Sequence, residues 1–142
     1  MKFSSIASFA FSAFILTACS SNSGSSFNAK DLKSEIYQGY WAMQPVESQY
    51  RVLKFHPSGL VKIYDYSCHT DGSYSLNETE AVHLSPIREN LFTLLDAEKK
   101  PFAKYEILQL NAQRFQAKQS FEQARSLILT YTNLKGAKPL CY

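Results

Sequence analysis

The pattern of apolar and polar positions changes three times along the chain. Residues 3–18 form a nearly continuous apolar run, broken by Ser4, Ser5, Ser8, Ser12 and Thr17. A stretch of Ser, Asn and Gly follows over residues 20–26. Ala29, Leu32 and Ile36 then recur at helical spacing, with Asn28 placed to cap and Asp31 in the first turn. This spacing predicts one helix from residue 28 to about residue 38. From Tyr40 to Asn133 the chain breaks into short runs of β-branched and aromatic residues, with turn signals every 8 to 15 residues or so. That rhythm predicts an all-β barrel or sandwich rather than a sheet built from βαβ units.

The clearest unit is the hairpin over residues 50–66. Pro57-Ser58-Gly59 between two apolar runs fits a three-residue loop with Gly59 in the left-handed position. The register that follows pairs His56 with Leu60, Phe55 with Val61 and Leu53 with Ile63. Side chains alternate along a strand, so those four apolar residues share one face and Lys54 and Lys62 share the other. Arg51 and Asp65 form a cross-strand pair at the open end. Further strands are expected over residues 40–44, 73–76, 80–84, 90–95, 102–110, 114–119 and 126–133, nine in all with the hairpin.

The start of the chain carries a different signal. Lys2, the apolar run and Ala18 make a short secretory signal, below the ~20 residues that span a bilayer. Leu16-Thr17-Ala18-Cys19 resembles the lipobox of bacterial lipoproteins. That resemblance implies cleavage after residue 18 and acylation of Cys19. Two or three acyl chains, at about 0.8 kcal/mol per buried methylene, anchor a protein stably. Ser20, standing where Asp would signal inner-membrane retention, resembles the outer-membrane sorting pattern. The expected organisation is therefore a signal peptide over residues 1–18, a lipid-anchored tether over 19–27, and one domain over 28–142. The domain is expected in the bacterial envelope, facing the periplasm or the cell surface.

Charge and cysteine content narrow the picture further. The whole chain carries a net charge of +3, and its basic residues are scattered, with no run longer than Lys99-Lys100. No nucleic-acid footprint is present. Apart from Cys19, the cysteines are Cys68 and Cys141. In an oxidising compartment a disulfide between them is expected, two buried free thiols being the alternative. Such a bridge would pin the tail, residues 136–142, to the domain.

A helix leading into Gly39-Tyr40-Trp41, followed by antiparallel strands in simple order, resembles the lipocalin family of the calycin superfamily. The likeness runs over roughly residues 38–133 and rests on four features of the sequence. These are Gly-x-Trp at Gly39 and Trp41, the aromatic hairpin with its Gly59 turn, Tyr105-Glu106-Ile107, and the closing aromatic Tyr131. The resemblance implies an up-and-down antiparallel barrel of about eight or nine strands behind one N-terminal helix, with Gly39 and Trp41 closing one end. The Arg that the family sets near the end of the last strand has no counterpart in Tyr131-Thr132-Asn133. A bridge from the C-terminal tail to the wall is common in the family and suits Cys68 and Cys141.

An eight-stranded barrel is just wide enough to be packed solid or to hold one small ligand. The positions expected to point inward are Leu53, Phe55, Val61, Ile63 and Tyr74, then Tyr105, Ile107, Phe115, Leu129 and Tyr131. As a pocket they suit a lipid-like or planar apolar molecule held by one or two hydrogen bonds; as a core they simply pack. An interior below ~300 Å³ argues against the pocket.

Catalytic chemistry finds little support. His56, His69 and His83 lack metal-site spacing, even with Cys68 beside His69, so no metal and no cofactor are implied. There is no Gly-x-Ser-x-Gly elbow and no Ser-x-x-Lys in a helical setting. The expectation is a non-catalytic envelope module for a small apolar or amphiphilic ligand. The alternative is a protein-interaction scaffold, or a barrel like the periplasmic calycin inhibitors of serralysin-type proteases. In those the N-terminal segment is a plug, a role that residues 20–29 would share with the tether.

Overall fold

The structure is a computed structural model that describes residues 26–142; the expected signal peptide, Cys19 and most of the expected tether lie outside the described residues. Eight antiparallel strands follow one another in chain order: β1 (Tyr40–Met43), β2 (Tyr50–Phe55), β3 (Leu60–Cys68), β4 (Tyr74–Arg88), β5 (Leu91–Leu95), β6 (Pro101–Leu110), β7 (Arg114–Ser120) and β8 (Leu127–Leu134). Each pairs with its neighbour, and β8 pairs back onto β1, closing the barrel.

The hairpin of β2 and β3 adopts the expected register, with Leu53 opposite Ile63, Phe55 opposite Val61 and Arg51 opposite Asp65. The turn is locked by the His56 amide donating to the Leu60 carbonyl at 2.9 Å, with Gly59 at φ +82°. Two expectations are corrected. The strands expected over residues 73–76 and 80–84 are one long strand, β4, so there are eight strands and not nine. Asn77-Glu78-Thr79 reads as a break because it is polar, yet that stretch is exposed on both faces and needs no apolar alternation. The expected N-terminal helix is also absent. In its place stand two 3-10 turns, Ala29–Asp31 and Ser34–Tyr37. Leu32 and Lys33 between them are extended (ψ 150° and 141°), and four residues fall short of an α-helical nucleus.

The turns nevertheless bury the residues that suggested a helix. Leu32 and Ile36 press into one end of the barrel. Inside, Phe115 lies at the centre of an aromatic stack, 4.3 Å from the Tyr131 ring and edge-on to Trp41 at 4.9 Å and Phe55 at 5.9 Å. Such contacts add about 0.5–1.5 kcal/mol each beyond area burial. After β8 the chain returns along the outer wall. There the Tyr66 hydroxyl donates to the Ala137 carbonyl at 2.8 Å, and Leu140 packs on Ala42, Val52 and Tyr66. The disulfide between Cys68 and Cys141 ends this strap.

Candidate functional site

The two ends of the barrel differ in construction. The closed end gathers the 3-10 turns, the hairpin turn at Gly59, the β4–β5 turn, the β6–β7 turn, the start of β1 and the end of β8. The indole N–H of Trp41 donates to the Ile36 carbonyl at 2.7 Å, fixing the plug to the first strand. Gly39 is left-handed (φ +69°), and a Cβ there would lie 2.1 Å from Asn133 Oδ1 and 2.7 Å from the Leu134 carbonyl oxygen. Nδ2 of the Asn133 side chain donates to the Gln38 carbonyl at 3.0 Å. Lys54 reaches over from β2, donating to the carbonyls of Tyr37 (2.9 Å) and Gly39 (2.8 Å) while lying 5.3 Å from the Tyr40 ring centre. Gly39 and Trp41 thus lie at the plugged end, and the cation that reaches across the joint is Lys54.

The open end has a layered interior. Leu53, Phe55, Val61, Ile63, Ile107, Phe115 and Leu129 are all buried, as the alternation predicts. Above most of them lie the phenols of Tyr105 and Tyr131, also buried, and then the bidentate pair of Arg51 with Asp65. In that pair Nε and Nη2 each donate at 2.7 Å. Glu80, Gln119 and Phe102, with the apolar Val82, Leu84 and Leu94, complete the lining of a cavity of about 80 Å³. The Tyr105 hydroxyl is buried beside this cavity, next to the Tyr131 hydroxyl but in no well-formed hydrogen bond with it. Burial pushes the Tyr131 phenol up to about 12 and holds the Tyr105 phenol well above its ordinary value. The hydrogen bond to Asp65 raises the Arg51 guanidinium. These phenols are neutral over the physiological range.

Tyr74 is corrected: it is 42% exposed, on the outer wall, edge-on to Tyr66 at 5.6 Å. The cause is a register shift between Asp65 and Tyr66, where Glu78 pairs with Asp65 but Leu76 with Tyr66. The extra residue, Asn77, turns the remainder of β4 over. Glu80, Gln119 and Phe102 were missed from the sequence. For Glu80 the signal was present, because it has the same parity along its strand as the apolar, buried Val82 and Leu84. Among the described residues, no group of three or more His, Cys, Asp or Glu is placed to hold a metal ion. His69 Nε2 sits 3.3 Å from Ser75 Oγ in an exposed loop.

The described residues thus define a closed eight-stranded antiparallel barrel with one plugged end and a nearly filled interior. Comparison of the chain with family models, curated proteins and solved structures returns no match. No helix among the described residues is long and apolar enough to cross a membrane.

Proposed function

We propose that the chain is a lipocalin-like, non-catalytic binding module of the bacterial envelope. It is anchored by acyl groups on Cys19, most simply in the outer membrane, and engages a protein partner through its open rim. The interior carries this reading: about 80 Å³ lies far below the ~300 Å³ that a drug-sized ligand occupies. The rim, by contrast, is equipped for contact. Phe102 and Phe121 are exposed and flank one groove of about 480 Å³ with Lys104 and Glu122. The loops and mouth around it carry Glu47, Asp71, Glu78, Glu80, Asp96, Glu98 and Glu122. A partner with an apolar knob ringed by basic side chains complements that surface.

One observation favours a second reading, a small ligand in the mouth: the buried Tyr105 hydroxyl beside the cavity could bond a ligand oxygen. A photo-crosslinking amino acid at Phe121, with the outward-facing Thr132 as control, separates the two in intact envelopes. A discrete product from position 121, lost when Glu98 and Glu122 are reversed to Lys, supports the rim. No product from position 121, with a stoichiometric small molecule by native mass spectrometry, overturns it in favour of the mouth.

A further inference from the structure

We infer that the closed end of the barrel is a docking surface for anionic phospholipid headgroups, so that the domain stands on its anchoring membrane with its mouth turned away. The inference rests on the proposed acylation of Cys19 and goes beyond it, because an anchor alone leaves the domain free to tumble.

Three observations meet at this end. The first is where the tether leaves the domain. Phe27 packs onto Gly59, where an added Cβ would lie 2.6 Å from its ring, and its centroid is 6.2 Å from that of Phe92. Asn28 is held in a reciprocal capping box, its amide donating to Asp31 Oδ2 at 2.7 Å and its side chain accepting from the Lys30 amide at 3.0 Å. The chain is therefore fastened at the closed end immediately after the tether. Residues 20–26 can span at most about 25 Å at ~3.5 Å each, which keeps this end near the membrane.

The second observation is a surface cleft of about 450 Å³ at the same end. It brings Lys30, Lys33 and Arg88 together beside the exposed Ile87, directly next to Ser26. Asp31 and Glu89 share the cleft, Asp31 accepting from the Asn28 amide, and Arg88 is paired with Glu106 at 3.1 Å, so the cations the cleft offers are the exposed Lys30 and Lys33. Two exposed ammonium groups beside an apolar side chain match the chemistry of a phosphodiester above acyl chains.

The third is the asymmetry of charge between the ends. The plug and turns of the closed end carry five basic residues (Lys30, Lys33, Arg88, Arg114, Lys135) against three acidic ones (Asp31, Glu35, Glu89). The loops and mouth of the open end carry Arg51, Lys99, Lys100, Lys104 and Arg125 against Asp65 and the seven acidic residues of the rim. Over an anionic leaflet such a distribution favours closed end down and open end up, with a range set by the ~8 Å Debye length of physiological salt.

The test uses the full chain, expressed with its signal, ¹⁵N-labelled and reconstituted in nanodiscs of phosphatidylcholine and phosphatidylglycerol doped with a gadolinium-chelating lipid. Amide signals of Gly59, Asn90 and Asn111 should broaden at least threefold more than those of Asp71, Glu98 and Glu122. In K30E/K33E, or in discs of phosphatidylcholine alone, the ratio should fall toward one. Equal or reversed broadening in the anionic discs overturns the inference, and so does a ratio unchanged by charge reversal. The mass of the N-terminal peptide is read on the same sample. Lipid present with either contrary pattern leaves the anchor standing and removes the docking surface; lipid absent removes both.

Discussion

Three glycines with the same backbone conformation should respond very differently to a single methyl group. Gly39, Gly59 and Gly72 have φ of +69°, +82° and +81°. An alanine at any of them costs about 1 kcal/mol for the left-handed conformation alone. At Gly72 nothing lies within 4 Å of the added carbon, so Gly72→Ala should cost little more than that. At Gly59 the obstacle is the Phe27 ring, a side chain that can move at the expense of its packing, about another 1 kcal/mol. At Gly39 the obstacles are Asn133 Oδ1 at 2.1 Å and the Leu134 carbonyl oxygen at 2.7 Å. Moving Asn133 sacrifices its bond to the Gln38 carbonyl, about 1 kcal/mol, and moving Leu134 disturbs its pairing with Tyr40 where β8 closes the ring. Gly39→Ala should therefore cost about 3–4 kcal/mol. Urea unfolding with the disulfide intact measures all three, using Trp41, the single tryptophan, as reporter. The double variant Gly39→Ala/Asn133→Ala should lose about 1 kcal/mol less than the sum of its parts, because the nearest obstacle is gone. If Gly39→Ala and Gly72→Ala agree within 0.5 kcal/mol, the closed joint is not the tight contact described above. Strict additivity with Asn133→Ala would clear Asn133 of any part in it.

Two other outcomes follow from the strap and the buried phenols. The Cys68–Cys141 bridge spans a sequence separation of 73, so replacing both cysteines with serine should lower stability by about 4 kcal/mol in the chain-entropy model. A shift in urea midpoint worth less than 1 kcal/mol would mean that the tail's own contacts hold it. Tyr131, with its phenol raised to about 12, is neutral in both folded and unfolded chains below pH 10. Between pH 10 and 12 the unfolded chain ionises first, so stability should fall by up to about 1.4 kcal/mol per pH unit, a loss of about 2–3 kcal/mol by pH 12. Tyr131→Phe should reduce that slope without abolishing it, since burial raises Tyr105 as well; an unchanged slope in urea titrations at pH 9 to 11.5 refutes the assignment.

What could be read from the sequence was whatever depends on local alternation and turn chemistry. The β2–β3 hairpin needed only Gly59 and the alternation of Leu53, Phe55, Val61 and Ile63, and its register follows from those alone. The inward turn of Arg51 and Asp65 follows by the same parity and was available. Tyr74 was misplaced because one extra residue at Asn77 reverses a strand's facing, and a bulge of that kind leaves no mark in a polar stretch. The plug was misread as a helix because burial of Leu32 and Ile36, four positions apart, is equally met by two 3-10 turns with an extended link. The size of the interior was out of reach altogether. It depends on Phe115 lying flat on Tyr131 while meeting Trp41 and Phe55 edge-on, an arrangement of residues from four strands that no local pattern encodes.

Closure of the sheet limits where recognition can occur. Because β8 pairs with β1, the ring closes, and the sheet is left open to an added strand along the outer edge of residues 74–82 of β4, which pair with β3 while β5 joins only from His83. The wall over β1, β2 and β3 is occupied by the chain's own tail through Ala137 and Leu140. The closed end is filled by Leu32, Ile36 and Trp41, and the axis of the barrel by aromatic rings. Besides that edge, side chains of the open rim, and of the wall from β4 to β8, are what remain for contact. On that surface Phe102 and Phe121 are apolar groups exposed beside a common groove, at the end opposite the 3-10 turns. Under the proposed docking of the closed end on a membrane, that groove would face outward, where a partner can reach it without displacing lipid.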